Sequence, residues 1–278
     1  MDLSKIYPPR PESVHKGNYG SVLVVCGSKL YSGSATLTAV SALRAGADLV
    51  TVVSPQRAAD VAAATLPDLM SFPLRGNHLN TRHVNDVLDI AHLRRINSIV
   101  IGCGLGRHQS TIAAIHTLIA KVIVPLVIDA DALYALSLKP ELAVGKQVIL
   151  TPHAGELAIL LGVERIGVEF DARLAAAKQA AVKYRSLILL KGHIDIITDG
   201  HITITNNSGS VYMTKGGFGD TLSGIVGALL ARGVGLIEAA HAAAYINGRA
   251  GEIAASNKGE GVVASDIFET IPKVISST

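Results

Sequence analysis

Short runs of β-branched and aliphatic residues recur along this chain. Each leads through glycine or polar residues into a stretch with helical spacing. Residues 21–26 form such a run, broken at Gly27-Ser28 and followed by a helix that Gly46 closes. Residues 49–53 and 98–101 are the next runs, with the glycine-rich loop 102–106 and a helix near 109–120 after the second. Residues 126–128 end at Asp129-Ala130-Asp131, and 147–150 end at Thr151-Pro152-His153-Ala154-Gly155-Glu156. A helix around 170–184 leads to the run 186–190 and then Lys191-Gly192-His193. Continuous apolar strands alternating with helices predict an α/β fold: a central, mostly parallel sheet with helices on both faces.

The spacing changes after Lys191. Residues 194–198 and 202–205 flank Asp199-Gly200, a hairpin signal that places two short strands at one edge. The tail reads as helix from Asp220 to about Ala255 and again after Ala264. The alternation predicts one domain over residues 1–278. A chain that is 49% hydrophobic with only 4% aromatics suits buried strands under tightly packed helices. The formal charge is +3 with no dense basic run, and Arg94-Arg95 reads as a solvated helix end, which argues against a nucleic-acid surface. Cys26 and Cys103 lack metal-ligand spacing and read as buried, reduced thiols. Residues 1–15 carry charges and prolines without an apolar core, unlike a signal peptide, and no apolar run reaches membrane-span length. A cytoplasmic protein without a membrane partner is the expectation.

In a doubly wound sheet, ligands gather outside the carboxyl ends of the strands. Gly27, Gly102–Gly106, Asp129, His153 and Lys191 all fall at such ends, which predicts one shared cleft. Residues 215–224 (Lys-Gly-Gly-Phe-Gly-Asp-Thr-Leu-Ser-Gly) add an anion site: glycines before an apolar helix, whose first-turn N–H groups attract phosphate. Asp220 stands where transferred phosphate and an attacking hydroxyl would meet, and a carboxylate there accepts the hydroxyl proton. A plain strand-to-helix turn with Asp220 as its cap is the alternative. Asp129 suits Mg²⁺ held through water or a substrate hydroxyl, with Asp131 as helix cap. His153 and Glu156 fit a phosphate or metal-water contact, or else a capping box. Lys191 fits a nucleotide phosphate or an acidic neighbour, or else a solvated strand end. The loop 206–210 closes over a nucleotide or lies plainly on the surface. Gly102–Gly106 matches a dinucleotide fingerprint only loosely, because the sixth-position glycine is missing.

Taken together and in order, Gly27-Ser28 with Tyr31–Ser34, Ile101–Gly106, Ile128–Ala132, Leu150–Glu156, Leu190–Gly192 and Lys215–Asp220 resemble the ADP- or ATP-dependent NAD(P)H-hydrate dehydratases of the ribokinase-like superfamily. Sugar kinases of that superfamily usually carry Asn-x-x-Glu where His153 and Glu156 stand. The chain departs from the usual pattern at Cys103 and Ala154, both usually proline, and at Phe218, usually threonine or serine. The resemblance implies phosphorylation and elimination of the ring hydroxyl in the (S)-hydrates of NADH and NADPH (NADHX and NADPHX), giving AMP and phosphate when ADP is the donor. It implies Asp220 as base, Mg²⁺ with ADP or ATP, and a nucleotide along Lys191, Gly192, His193, Ile194, Asp195, Gly217, Phe218 and Gly219. Ser34, Gly104, His153 and Asp220 would face the hydrate, with Asp129 and Glu156 toward the metal. A homotetramer and a separate epimerase are further implications. A kinase of a small alcohol (thiazole, pyrimidine or sugar type) and a catalytically silent nucleotide-binding regulator, which Phe218 would suit, are the alternatives.

Overall fold

The computed structural model describes residues 1–277. In chain order its elements are β1 (Ser21–Val25), α1 (Ser34–Arg44), β2 (Leu49–Pro55), α2 (Gln56–Thr65), β3 (Met70–Leu74), α3 (Val84–Leu93), β4 (Ser98–Ile101) and α4 (Gln109–Lys121). They continue with β5 (Leu126–Ile128), α5 (Asp131–Ser137), β6 (Val148–Leu150), α6 (Ala154–Leu161), α7 (Phe170–Tyr184) and β7 (Leu187–Leu190). The chain closes with β8 (Asp195–Thr198), β9 (Thr203–Asn206), α8 (Phe218–Ala231), α9 (Leu236–Lys258) and α10 (Ile271–Ser276).

The strands form one sheet in the order β3-β2-β1-β4-β5-β6-β7-β8-β9. β1 through β7 pair in parallel, and β8 and β9 close one edge antiparallel. The expected edge hairpin is therefore present. Alternate strand residues feed two cores. Val22 and Val24 join a cluster with α1, α2, α8, α9 and α10, while Leu23 and Val25 join one with α3 to α7. Both sheet faces are covered, which is why the strands read as unbroken apolar runs rather than alternating ones. The chain winds outward through β2 and β3, then returns to add β4 on the other side of β1. The switch point lies between β1 and β4, and in such sheets ligands bind outside the strands' carboxyl ends there.

Sequence periodicity does not resolve residues 54–97, which hold α2, β3 and α3. α2 buries only Ala58, Ala59 and Ala62, too small a stripe to stand out, and β3 is a half-exposed edge strand carrying Pro73. The mostly helical tail divides into α8 and α9, parted where the chain turns at Gly233 with φ +89°. The irregular arm at the start is tied down: Leu3 and Ile6 are buried, and Tyr7 Oη donates to Ala45 O at 2.9 Å.

α8 reaches the switch point because two glycines let it lie close. A Cβ on Gly224 would stand 2.1 Å from Thr38 O of α1, and one on Gly227 would stand 2.4 Å from Val100 Cγ2 of β4. Gly224→Ala gains about 1 kcal/mol of helix propensity. The clash is with backbone, however, and overpacking of this kind costs roughly 1–3 kcal/mol. The expected net result is a lower melting temperature, and an unchanged or raised one would show that α1 and α8 yield.

Candidate active site

Gly217 caps α8 with φ +102°, a conformation that glycine adopts freely. The first backbone bond of the turn runs from Thr221 N to Gly217 O at 3.0 Å, so the N–H groups of Phe218, Gly219 and Asp220 precede the helix's own ladder. Asn247 of α9 fixes this turn. Its Nδ2 donates to Phe218 O at 3.3 Å, and its Oδ1 lies 2.8 Å from Thr221 Oγ1. The Phe218 ring is 5% exposed and packs in the core. The bulky side chain that stands where threonine or serine is usual is thus accommodated in the core. Asp220 is not the cap but the third helical residue, in the first turn.

Asp129, at the end of β5, is 2% exposed. Its Oδ1 accepts from Lys191 Nζ at 2.9 Å and from Ala130 N at 2.8 Å, and its Oδ2 accepts from Ser223 Oγ at 2.7 Å and Cys103 Sγ at 3.6 Å. Ala130 holds φ +49°, ψ −120° in the turn that aims this carboxylate, a strained backbone for a residue with a Cβ. Burial alone would raise the Asp129 carboxyl, but the Lys191 charge and the hydrogen bonds of Lys191, Ser223 and Thr151 hold it below the usual range. Burial opposes the Lys191 charge too, yet Asp129 and then Glu156 raise its ammonium above the ordinary value. Asp129 thus stands in a buried ion pair with Lys191, and one of its oxygens lies within 4.8 Å of Cys103 Sγ and an Asp220 oxygen, a set whose chemistry could hold a metal ion.

Asp220 has the opposite character. Burial first, and the Asp129 charge second, push its carboxyl up to about 6, against hydrogen bonds from Ser34 and Cys103 and the Lys191 charge. Gly104 brings the Ser34 side against the glycine loop: a Cβ there would stand 2.7 Å from Ser34 Oγ. Gly219 is equally close to the ion pair, its notional Cβ lying 3.2 Å from Lys191 Nζ.

His153 and Glu156 realise the capping box at the start of α6. His153 Nδ1 accepts from Gly155 N at 3.0 Å, and Glu156 Oε2 accepts from His153 N at 2.8 Å. Glu156 also lies 3.8 Å from Lys191 Nζ, so the pair still borders the cleft. Glu156 keeps open lone pairs and fits a water-mediated magnesium contact. Asp131 does not cap α5; its carboxylate accepts from Gly106 N at 2.8 Å and from Arg107 Nε at 3.1 Å, holding the glycine loop. Gly192, His193 and Ile194 lie in the turn between β7 and β8, and Asp195 opens β8. Asp195 accepts from Gly192 N and Asn206 Nδ2, both at 3.0 Å, and Arg173 Nη2 donates to Ile194 O at 2.9 Å. The loop 206–210 is drawn toward α9 by Gly209 N, which donates to Glu252 Oε1 at 2.8 Å.

The structure thus joins Glu156, Lys191, Asp129, Asp220, Ser34, Gly104 and Gly219 at one mouth. Ser223, Thr151, Cys103 and Asn247 complete it; the first three lie inside stretches that the sequence singles out but carry no assigned role there, and Asn247 lies outside them. Ser223 was within reach of sequence reasoning, since it follows Asp220 by three residues on one helix face. A cavity of about 1060 Å³ lies at the other end of the sheet, lined by Val148, Arg185, Leu187, Leu236 and His241, and holds none of these residues. No described helix is long and apolar enough to cross a membrane.

The profile of the NAD(P)H-hydrate dehydratase family matches residues 22–273. The chain is 41% identical over 262 residues to the bifunctional NAD(P)H-hydrate repair enzyme Nnr of Pyrobaculum aerophilum, covering 94% of this chain and 51% of that protein. It therefore spans about half the length of the first curated relatives it matches. It is 37% identical over 275 residues to the ADP-dependent (S)-NAD(P)H-hydrate dehydratase of Cenarchaeum symbiosum, covering 99% of this chain and 94% of that one. Among solved structures, the Bacillus subtilis ADP/ATP-dependent NAD(P)H-hydrate dehydratase co-crystallized with ATP/Mg²⁺ aligns with a TM-score of 0.76 at 25% identity, covering 98% of this chain and 96% of that one.

Proposed function

The chain belongs to the NAD(P)H-hydrate dehydratase family and has a ribokinase-like fold, and we propose that it uses ADP or ATP to dehydrate the (S)-hydrates of NADH and NADPH. One observation carries this reading: beside an ion-paired Asp129, Asp220 is left as a carboxyl pushed up to about 6, in the first turn of the helix whose N–H groups open onto the cleft. A base poised near the operating pH is what proton abstraction from an alcohol requires.

Asp220 takes the proton of the ring hydroxyl as that oxygen attacks the terminal phosphorus, and the bond from phosphorus to the nucleotide breaks. With ADP as donor, AMP leaves. The hydroxyl has become a phosphate ester, a far better leaving group. The ring nitrogen's electron pair expels phosphate, and loss of a ring proton restores the reduced nicotinamide. The N–H groups of Gly217, Phe218 and Gly219 stabilise charge on the transferring phosphoryl group. Lys191 adds positive charge beside Gly219, and the turn Gly192–Asp195 borders the nucleotide. Ser34, Gly104 and His153 line the hydrate's side. Mg²⁺ neutralises nucleotide phosphates when bound, with Glu156 holding its water. We also place the protein in the cytoplasm as a homotetramer, working beside a separate epimerase; the bifunctional name of the Pyrobaculum relative supports that last pairing.

The test mixes the protein with Mg²⁺, ADP or ATP and acid-hydrated NADH and follows the reduced-nicotinamide absorbance. Nucleotide-dependent recovery is expected. A phosphorylated alcohol with no recovered NADH would replace this reading with that of a small-alcohol kinase.

A further inference from the structure

The buried residues of α9 are alanine, glycine and isoleucine, with Asn247 as the one polar side chain among them. An apolar residue of like shape would pack there without needing partners, whereas a buried amide costs free energy unless it is hydrogen-bonded. Both ends of this amide are engaged, and both engagements lie on the anion loop. Nδ2 donates to Phe218 O at 3.3 Å, and Oδ1 accepts from Thr221 Oγ1 at 2.8 Å. Thr221 Oγ1 also lies 2.9 Å from Phe218 O. The three groups form a clasp on one peptide unit, that between Phe218 and Gly219. This peptide is trans, so its carbonyl and its N–H point opposite ways. Pinning Phe218 O therefore aims the Gly219 N–H out of the open end of α8. The anchor itself is firm. A Cβ on Gly248 or Gly251 of α9 would collide with Ser208 Oγ or Met213 Sδ, and Thr270 Oγ1 donates to Ala250 O at 2.9 Å.

We propose that Asn247 is a positioning residue for phosphoryl transfer: by holding Phe218 O it directs the Gly219 N–H at the terminal phosphoryl group of the bound nucleotide. This rests on the reading of the anion loop given above. Asn247 is 6% exposed and acts through the loop alone. Gly216, Gly217 and Gly219 give that loop its freedom to turn, and the same freedom leaves many backbone states open. The clasp removes it at the peptide whose N–H faces the ligand. A donor fixed in advance costs no reorganisation as charge develops on the phosphoryl oxygens. AMP lacks the terminal phosphoryl group that ADP and ATP carry, so the loss on breaking the clasp depends on that group.

The experiment titrates ADP, ATP and AMP, each with Mg²⁺, calorimetrically into wild type, Asn247→Ala, Thr221→Val and Thr221→Ser, and measures hydrate turnover beside it. Asn247→Ala and Thr221→Val should weaken ADP and ATP about tenfold and leave AMP unchanged. Their kcat should fall about tenfold, short of the roughly 10²–10³-fold lost when such a donor is deleted outright, with KM for the hydrate unchanged. Thr221→Ser keeps the hydroxyl and should match wild type. Equal weakening of all three nucleotides, or a lowered melting temperature with no change in binding, would overturn the proposal and reduce Asn247 to packing. So would a wild type that binds AMP as tightly as ADP and ATP. Thr221→Val decides the matter if Asn247→Ala does not fold. Binding of ADP or ATP without hydrate turnover in wild type would instead defeat the functional reading, and the comparison with AMP would still decide this one.

Discussion

Asp220→Asn keeps the fold and loses roughly 10²–10⁴-fold in kcat, the usual contribution of a general base. The amide fills the same space and still accepts from Ser34, but it takes no proton. The pH dependence follows from the same residue. In wild type, Asp220 works only when ionised, so kcat falls tenfold per unit as pH drops below about 6. Stability moves the other way. A carboxyl raised in the folded state holds its proton there after the unfolded chain, at about 4, has released it. Folding is therefore favoured below that window and loses stability as pH rises from about 4 through about 6. Asp220→Asn removes this loss, and its melting temperature at pH 7 should equal or exceed that of wild type. An active variant would dismiss Asp220 as base; an inactive and unfolded one would leave the residue structural.

The parts of this architecture that sequence discloses are those governed by local chemistry. Unbroken apolar runs such as 98–101 announce strands covered on both faces, and the polar or glycine residue ending each run announces the cleft. Asp199-Gly200 announces the edge hairpin. What stays hidden depends on packing between distant segments. Nothing around Phe218 indicates that its side chain is buried in the core. Asp129 looks like any strand-end acid, and only the fold reveals that residues 62 and 94 positions further along, Lys191 and Ser223, hydrogen-bond to it. His153 shows the reverse case. A local rule, the capping box, accounts for its ring nitrogen, while the proximity of Glu156 to Lys191 keeps the pair at the cleft.

Lys191→Met is the second large effect, and it falls on stability and activity together. The ion pair with Asp129 is nearly closed to water, with side chains 18% and 2% exposed. Breaking a buried pair by removing one partner costs about 3–5 kcal/mol, because the remaining charge is left desolvated. In wild type, the depressed Asp129 carboxyl contributes stability above the ordinary carboxylate range, and that stability is lost as pH falls through its lower folded value. Without Lys191, burial dominates and raises the carboxyl instead, so the variant loses stability as pH rises. The gap between variant and wild type should therefore be widest at pH 7 and shrink toward pH 4, as urea denaturation at the two values would show. Adding Asp129→Asn to Lys191→Met should recover part of the stability at pH 7, since no buried charge then remains. Turnover should stay low in the double variant, because the positive charge beside Gly219 is still missing. A gap that ignores pH, or a double variant no more stable than the single, would mean that Asp129 does not depend on Lys191 for its charge. The separation of one committed carboxylate from one poised carboxylate would then fail with it.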